Sequence, residues 1–330
     1  MAAFSDQLLV VTILAYLAAM VCYAAEYAFS ARPARALVPS GAAAPAPVAV
    51  GAGGGSSAGG GGPEVGAGPG AGAGREQPPA ARTRLPRVAR GVILAAAVVH
   101  LATVVTRGLA AERVPWGNMY EYLLTATLVA TAAWFWLARK HPAVGRLGLF
   151  IALANVLLLS VAGMVVYTPV GPLVPALDSY WLLLHVSAAI AATGLFLIGF
   201  IATVLYLLRT GYDRGRRRFP FPLGARLPAA EVLERISFRL HAIGFPIWTF
   251  AALIAGPIWA EAAWGRYWGW DPKEVWAFVT WIIYAAYLHA RATPSVRRTV
   301  VAGLAVAGWL AMLMNLFGVN LFFEGLHSYA

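Results

Sequence analysis

The stretch Trp181-Leu-Leu-Leu-His-Val-Ser-Ala-Ala-Ile-Ala-Ala-Thr-Gly-Leu-Phe-Leu-Ile-Gly-Phe-Ile-Ala-Thr-Val-Leu-Tyr-Leu-Leu208 decides the fold class. It contains no Asp, Glu, Lys or Arg, and a run of about 20 apolar residues is enough to cross the hydrocarbon core of a bilayer. Seven further apolar runs flank it, at roughly 7–29, 91–111, 119–138, 147–166, 237–259, 274–291 and 299–321. The 330-residue chain is 60% hydrophobic and only 12% charged, with a mean hydropathy of +0.69, more apolar surface than a soluble domain needs. These features predict an all-α polytopic membrane protein with about eight transmembrane helices.

A net charge of +11 could suggest a nucleic-acid surface, but the distribution of the charge argues for topology instead. Of the 25 Lys and Arg, all but Arg107, Arg113, Arg266 and Lys273 fall on one side of an eight-span chain. The positive-inside rule makes that side cytoplasmic, so both termini and the loops at about 112–118, 167–180 and 259–278 are expected to face outward. The expected location is the plasma membrane, multi-pass, with no nucleic-acid partner. Arg214, Arg216, Arg217 and Arg218 form a solvated cytoplasmic loop that would also meet anionic lipid headgroups.

Residues 1–30 read as a first transmembrane helix, lacking the basic leader of a cleaved signal peptide. Residues 31–90 read as a cytoplasmic linker. Its central part is almost entirely Ala, Gly, Pro, Ser and Val, which cannot bury enough side chain to offset ordering entropy. Residues 91–330 then form a seven-helix domain. The single cysteine, Cys22, allows neither an intrachain disulfide nor a dithiol relay. No G-x-x-x-x-G-K, H-E-x-x-H or G-x-S-x-G motif is present, which removes the support for the corresponding nucleotide and hydrolase chemistries.

Within the last domain, Trp259-Ala-Glu-Ala-Ala-Trp-Gly-Arg-Tyr-Trp-Gly-Trp-Asp-Pro-Lys-Glu-Val-Trp-Ala-Phe278 places five tryptophans and a tyrosine between two spans. Interfacial belts usually supply one or two rings per helix end. A loop this rich in indoles offers a rigid apolar surface suited to a large planar ligand. Asp271, Pro272 and Glu274 read as N-cap, N1 and N3 of the next helix, a capping box. Asp271 and Glu261 are the acids that could act as a general acid here, and capping explains Asp271 equally well.

Topology sorts the six histidines. His185, near the outer end of its span, and His327, beyond the last span, lie on the same side as the indole-rich loop. Two outward imidazoles flanking an apolar platform fit the two axial ligands of a six-coordinate haem. His289 lies about 21 Å down its span, counted from Val275 at 1.5 Å per residue, and reads equally as a ligand or as a structural group. His100 and His241 read as packing residues, and His141 as a surface group in a cytoplasmic turn.

At these residues the chain resembles the CcsA family, also named ResC or in some bacteria CcsB, of the System II cytochrome c assembly pathway. The resemblance is carried by the WWD segment Trp264-Gly-Arg-Tyr-Trp-Gly-Trp-Asp-Pro-Lys-Glu-Val-Trp276, by Leu173 to His185, by Tyr287-Leu-His289, by Gly325-Leu-His-Ser-Tyr329 and by Asn118-Met-Tyr-Glu121. It covers about residues 91–330. The resemblance implies delivery of haem b to the outer face and its covalent attachment to the Cys-x-x-Cys-His motif of apocytochrome c. It implies that His185 and His327 ligate that haem and that His289 ligates a deeper one. The ligand opposite His289 would come from a CcsB- or ResB-type membrane partner. The haem would lie against Trp264, Gly265, Trp268, Trp270, Asp271 and Trp276, with Arg266 and Lys273 near its propionates. A thioredoxin-like protein would keep the apocytochrome thiols reduced. Two rival readings remain, a b-type haem electron-transfer protein and a haem exporter without synthase activity.

Overall fold

The structure, a computed structural model, describes residues 1–29 and 85–327. The expected linker lies outside the described residues up to position 84, as do Ser328 and Tyr329. Every regular element among the described residues is helical. The long helices are α1 (Ala2–Phe29), α2 (Leu85–Ala111), α3 (Met119–Lys140), α4 (Gly148–Met164), α5 (Tyr180–Asp213) and α6 (Ala230–Phe250). They are followed by α7 (Gly256–Trp264), α8 (Pro272–Ala292), α9 (Arg298–Leu313) and the short α10 (Val319–Phe322). A π-helical turn, Ala251–Ala255, joins α6 to α7, and a second, Met314–Gly318, joins α9 to α10.

Among the described residues seven helical segments are long and apolar enough to cross a membrane. The protein is a multi-pass membrane protein. The eighth expected span, α8, has 21 residues and is long enough, but Lys273, Glu274, His289 and Arg291 make it less apolar than the others. One boundary is corrected. Residues 85–90, expected as linker, form the first turns of α2. Pro86 sits in the opening turn, where its missing N–H costs nothing, and Arg87 and Arg90 extend the helix beyond its apolar part.

Apolar side chains gain nothing from the hydrophobic effect when they leave lipid for protein, so these helices associate through close packing and internal hydrogen bonds. The central helix is α5, with 72% of its apolar window buried against 28% for α1. It packs on α3, α6 and α9, while α1 runs along α2 and α4. At one end of the bundle, Arg107 of α2 is fully buried and meets Glu121 of α3 at 3.0 Å. Glu121 also accepts hydrogen bonds from Arg113 (2.6 Å) and from the Gly117 N–H (2.9 Å). Arg107 donates to the Thr168 carbonyl at 2.5 Å and lies 3.9 Å from Asp6, which accepts from Tyr167. This network ties the start of α1 and the loops after α2 and α4 to the same end of the bundle.

Candidate functional site

That end carries a cavity of about 1140 Å³ including its open mouth. Its walls come from elements distant in sequence: Trp116 to Met119 before and at the start of α3, Leu182 to Ala189 of α5, Trp248 to Ala260 of α6 and α7, Tyr267 and Trp268, the start of α8, and Met312 to Asn320. Most of the lining is apolar with a few polar groups among it, as in small-molecule sites generally. Both π turns contribute to the wall, through Ala252 and through Asn315 and Leu316. A π turn shifts the hydrogen-bond register by one residue and is common at functional sites. Pro257, which has no N–H, follows the first of them.

His185 and His327 both line this cavity, although 142 positions separate them in the chain. His185 lies in the second turn of α5, where its Nδ1 is 2.8 Å from the Ala251 carbonyl in the π turn. Gly256 permits that approach. A Cβ there would stand 3.0 Å from the Ala251 oxygen and 3.1 Å from the His185 ring. The Nδ1 of His327 is 2.8 Å from Asp271 Oδ2. In each case Nδ1 faces an acceptor, so each ring donates from Nδ1, which leaves Nε2 as the nitrogen that could accept or ligate. Trp259 touches both rings, stacked on His185 at 5.8 Å and edge-on to His327 at 5.4 Å. Trp264 packs edge-on against Trp259 and His327, each at 4.8 Å.

The capping box at the start of α8 forms as the sequence predicts. Asp271 accepts from the Lys273 N–H, and Glu274 accepts from the N–H groups of Asp271 and Gly269. Asp271 also accepts the Leu326 N–H at 2.8 Å through Oδ1. Burial alone would raise the Asp271 carboxyl, but the hydrogen bonds from His327, Leu326 and Lys273 outweigh it and hold it below the usual carboxylate range. With both oxygens engaged, Asp271 is an orienting anion and not a free general acid. Glu261 is exposed and lies outside the cavity lining.

Of the WWD residues singled out from sequence, Trp268 and Lys273 line the cavity. Trp264 and Asp271 support the histidines from behind. Gly265 caps α7 at φ +72°, a conformation that favours glycine. Trp270 takes φ +58°, a strained backbone for a bulky residue, and its ring is exposed and edge-on to Trp268. Arg266 is exposed, and neither it nor Trp276 lines the cavity. Lys273 Nζ reaches Asn320 Oδ1 at 2.9 Å. The cavity lining adds Trp259, Trp116, Tyr122, Tyr267, Asn315 and Asn320, which sequence reading did not assign to the site. Of these, Trp259 and Tyr267 carried a signal, as members of the aromatic stretch.

The structure does not bring the other histidines to this cavity. His289 is exposed in the last turn of α8. His100 and His241 are fully buried, hydrogen-bonded through Nδ1 to Tyr16 and to Ser237 respectively. His141 is exposed, as expected.

Residues 116–327 match the family described as cytochrome C assembly protein. The chain is similar to the cytochrome c biogenesis protein CcsA of Porphyra purpurea, 31% identical over 280 residues that cover 74% of this chain and 88% of the relative. CcsA of Synechocystis sp. is 32% identical over 298 residues, 74% and 89% of the two chains. CcsA of Guillardia theta is 40% identical over a shorter 171 residues, 48% of this chain and 56% of the relative. The matched segment opens at Trp116 in the cavity wall and closes at His327, so it contains the whole cavity lining.

Proposed function

Because the chain belongs to the cytochrome c assembly protein family, we propose that it presents haem b at the outer face of the plasma membrane for covalent attachment to the Cys-x-x-Cys-His motif of apocytochrome c. The observation that carries this reading is the pair His185 and His327 on one apolar cavity, each tied through Nδ1 and each left with Nε2 for an iron. A bis-imidazole haem needs two such nitrogens and apolar walls for the macrocycle. Lys273, at the cavity wall beside Asn320, is the cation suited to a propionate. The exposed Arg266 is a weaker candidate.

Attachment adds each cysteine thiol across a vinyl C=C, sulfur to one carbon and the thiol proton to the other, with no net redox change. Of the three acids in the stretch, Glu261 is exposed outside the cavity while Asp271 and Glu274 are engaged by backbone N–H groups, so the protein's contribution is positional. Trp259 and Trp268 hold a planar ligand in place, Trp264 backs His327, and the docked peptide reacts at high effective molarity. The exposed position of His289 suits a ligand shared with a CcsB- or ResB-type partner at a deeper haem site. A thioredoxin-like protein would supply the reduced thiols.

The test purifies the full chain with its partner after co-expression with an apocytochrome reporter. Wild type should retain low-spin haem and yield covalent product. His185→Ala and His327→Ala should each lose the outer haem and abolish maturation, and added imidazole should restore part of it. Normal haem retention and maturation in both variants would refute the ligand assignment. Loss of one electron-transfer step with all c-type cytochromes intact, on deletion of the gene, would point to a b-type electron carrier instead.

A further inference from the structure

The two outer histidines are not held alike. His185 faces a neutral peptide carbonyl, that of Ala251, which also accepts the Gly256 N–H of the π turn. His327 faces a carboxylate, and that carboxylate is itself anchored. Asp271 is buried, caps α8 through the Lys273 N–H and takes the Leu326 N–H on its other oxygen. Gly325 makes this grip possible, since a Cβ there would stand 2.6 Å from Asp271 Oδ1. One carboxylate thus holds two consecutive residues of the segment after α10 at the cavity edge.

A carboxylate behind an imidazole fixes its tautomer and raises the basicity of the far nitrogen, and a hydrogen bond to an ionised acceptor is roughly twice as strong as a neutral one. We propose that Asp271 is the positioning residue of His327, and that this carboxylate makes His327 the stronger donor of an unequal pair while His185, backed by the Ala251 carbonyl, is the weaker. The inference rests on the haem-presenting reading above and adds to it a specific task for the aspartate of the WWD segment. That task is to couple the start of α8 to one axial ligand.

The test exploits a chemical difference between two small ligands. Imidazole carries an N–H that can replace the Nδ1–H of a missing histidine, whereas 1-methylimidazole carries none. The full chain, purified and loaded with ferric haem b, is prepared as His327→Ala and as His185→Ala, each with Asp271 intact or as Asp271→Asn. Asparagine is an equally good N-cap, so α8 keeps its start while the carboxylate charge is removed. In His327→Ala, imidazole should fill the vacant place about tenfold more tightly than 1-methylimidazole, the preference expected of one charge-assisted hydrogen bond. Asp271→Asn should collapse that preference. In His185→Ala the preference should be smaller and should not respond to Asp271→Asn.

In the otherwise intact chain, Asp271→Asn should raise the midpoint potential of the bound haem, and Asp271→Glu should restore part of the shift. A merely structural Asp271 would move neither the ligand preference nor the potential. An imidazole preference equal in both histidine backgrounds, or unchanged by Asp271→Asn, would overturn the inference while leaving the haem site standing. A wild-type chain that holds no haem would instead overturn the reading on which it rests.

Discussion

The cavity end and the middle of the bundle both hold imidazoles, half-buried at the cavity and fully buried in the interior, and they treat them in opposite ways. His241 is enclosed by Phe196 (5.9 Å), Tyr284 (5.2 Å) and Tyr287 (5.0 Å), and its buried Nε2 has no hydrogen-bond partner among the described residues. A Cβ added at Gly199 would stand 2.7 Å from its ring. His185 and His327 make the same kind of Nδ1 contact but border open volume. The residue type and the Nδ1 hydrogen bond are therefore common to both regions, and open volume beside the ring is what sets the two proposed ligands apart from the packing group. The backbone differs in the same sense. The cavity end carries both π turns and the left-handed Trp270, whereas the interior around His241 is regular helix.

The largest expected effect lies in what holds the cavity end in place. Glu121 neutralises the buried Arg107 and pins Gly117 in the cavity wall. Glu121→Ala would leave the buried Arg107 guanidinium only Asp6, at 3.9 Å, as a counter-charge, at a cost of up to about 3–5 kcal/mol. Thermal unfolding in detergent should show it, together with loss of haem. A variant as stable as wild type would mean that packing, not the ion network, fixes that wall.

A matched pair of glycine substitutions gives the next contrast. Gly199→Ala should push on His241 in a filled interior and destabilise by about 1–3 kcal/mol, with haem content per folded protein unchanged. Gly256→Ala, whose Cβ meets the His185 ring at 3.1 Å, should do the reverse: small change in melting temperature, weakened haem retention. Equal haem loss in both would dissolve the distinction between the two regions.

The smallest effect concerns pH. The folded carboxyl of Asp271 is held below its ordinary value of 3.8, so its contribution is fully present above that value and disappears as pH falls through the lower, folded one. The melting-temperature gap between wild type and Asp271→Asn should be flat across neutral and mildly acidic pH and should close only below about 3.8. A gap that changes around neutrality would assign the titration to another group.

Much of this was legible in the chain. Apolar runs longer than a bilayer needs can only be membrane helices, which set the class and seven of the spans. The Asp271-Pro272-Lys273-Glu274 cap is local chemistry and formed as read. That His185 and His327 share one side of the bundle with the indole-rich loop follows from counting spans, and both rings meet Trp259. The start of α2 was missed because a basic helical turn continues a helix without adding apolar length. Arg266, Trp270 and Trp276 lie outside the cavity lining while Trp259 is in it, because a dense aromatic loop does not say which of its side chains turn inward.

Helix lengths, caps and the alternation of basic and neutral loops depend on neighbours along the chain and can be read from it. Tertiary structure alone decided that the Ala251 carbonyl meets His185 and that Asp271 meets His327 across 56 positions. It also decided that two π turns widen one wall around the histidines. The physical reason is that a hydrogen-bond register can shift by one residue at almost no local signal, and that through-space contacts are set by how closely helices approach, a property of facing surfaces and not of any one stretch.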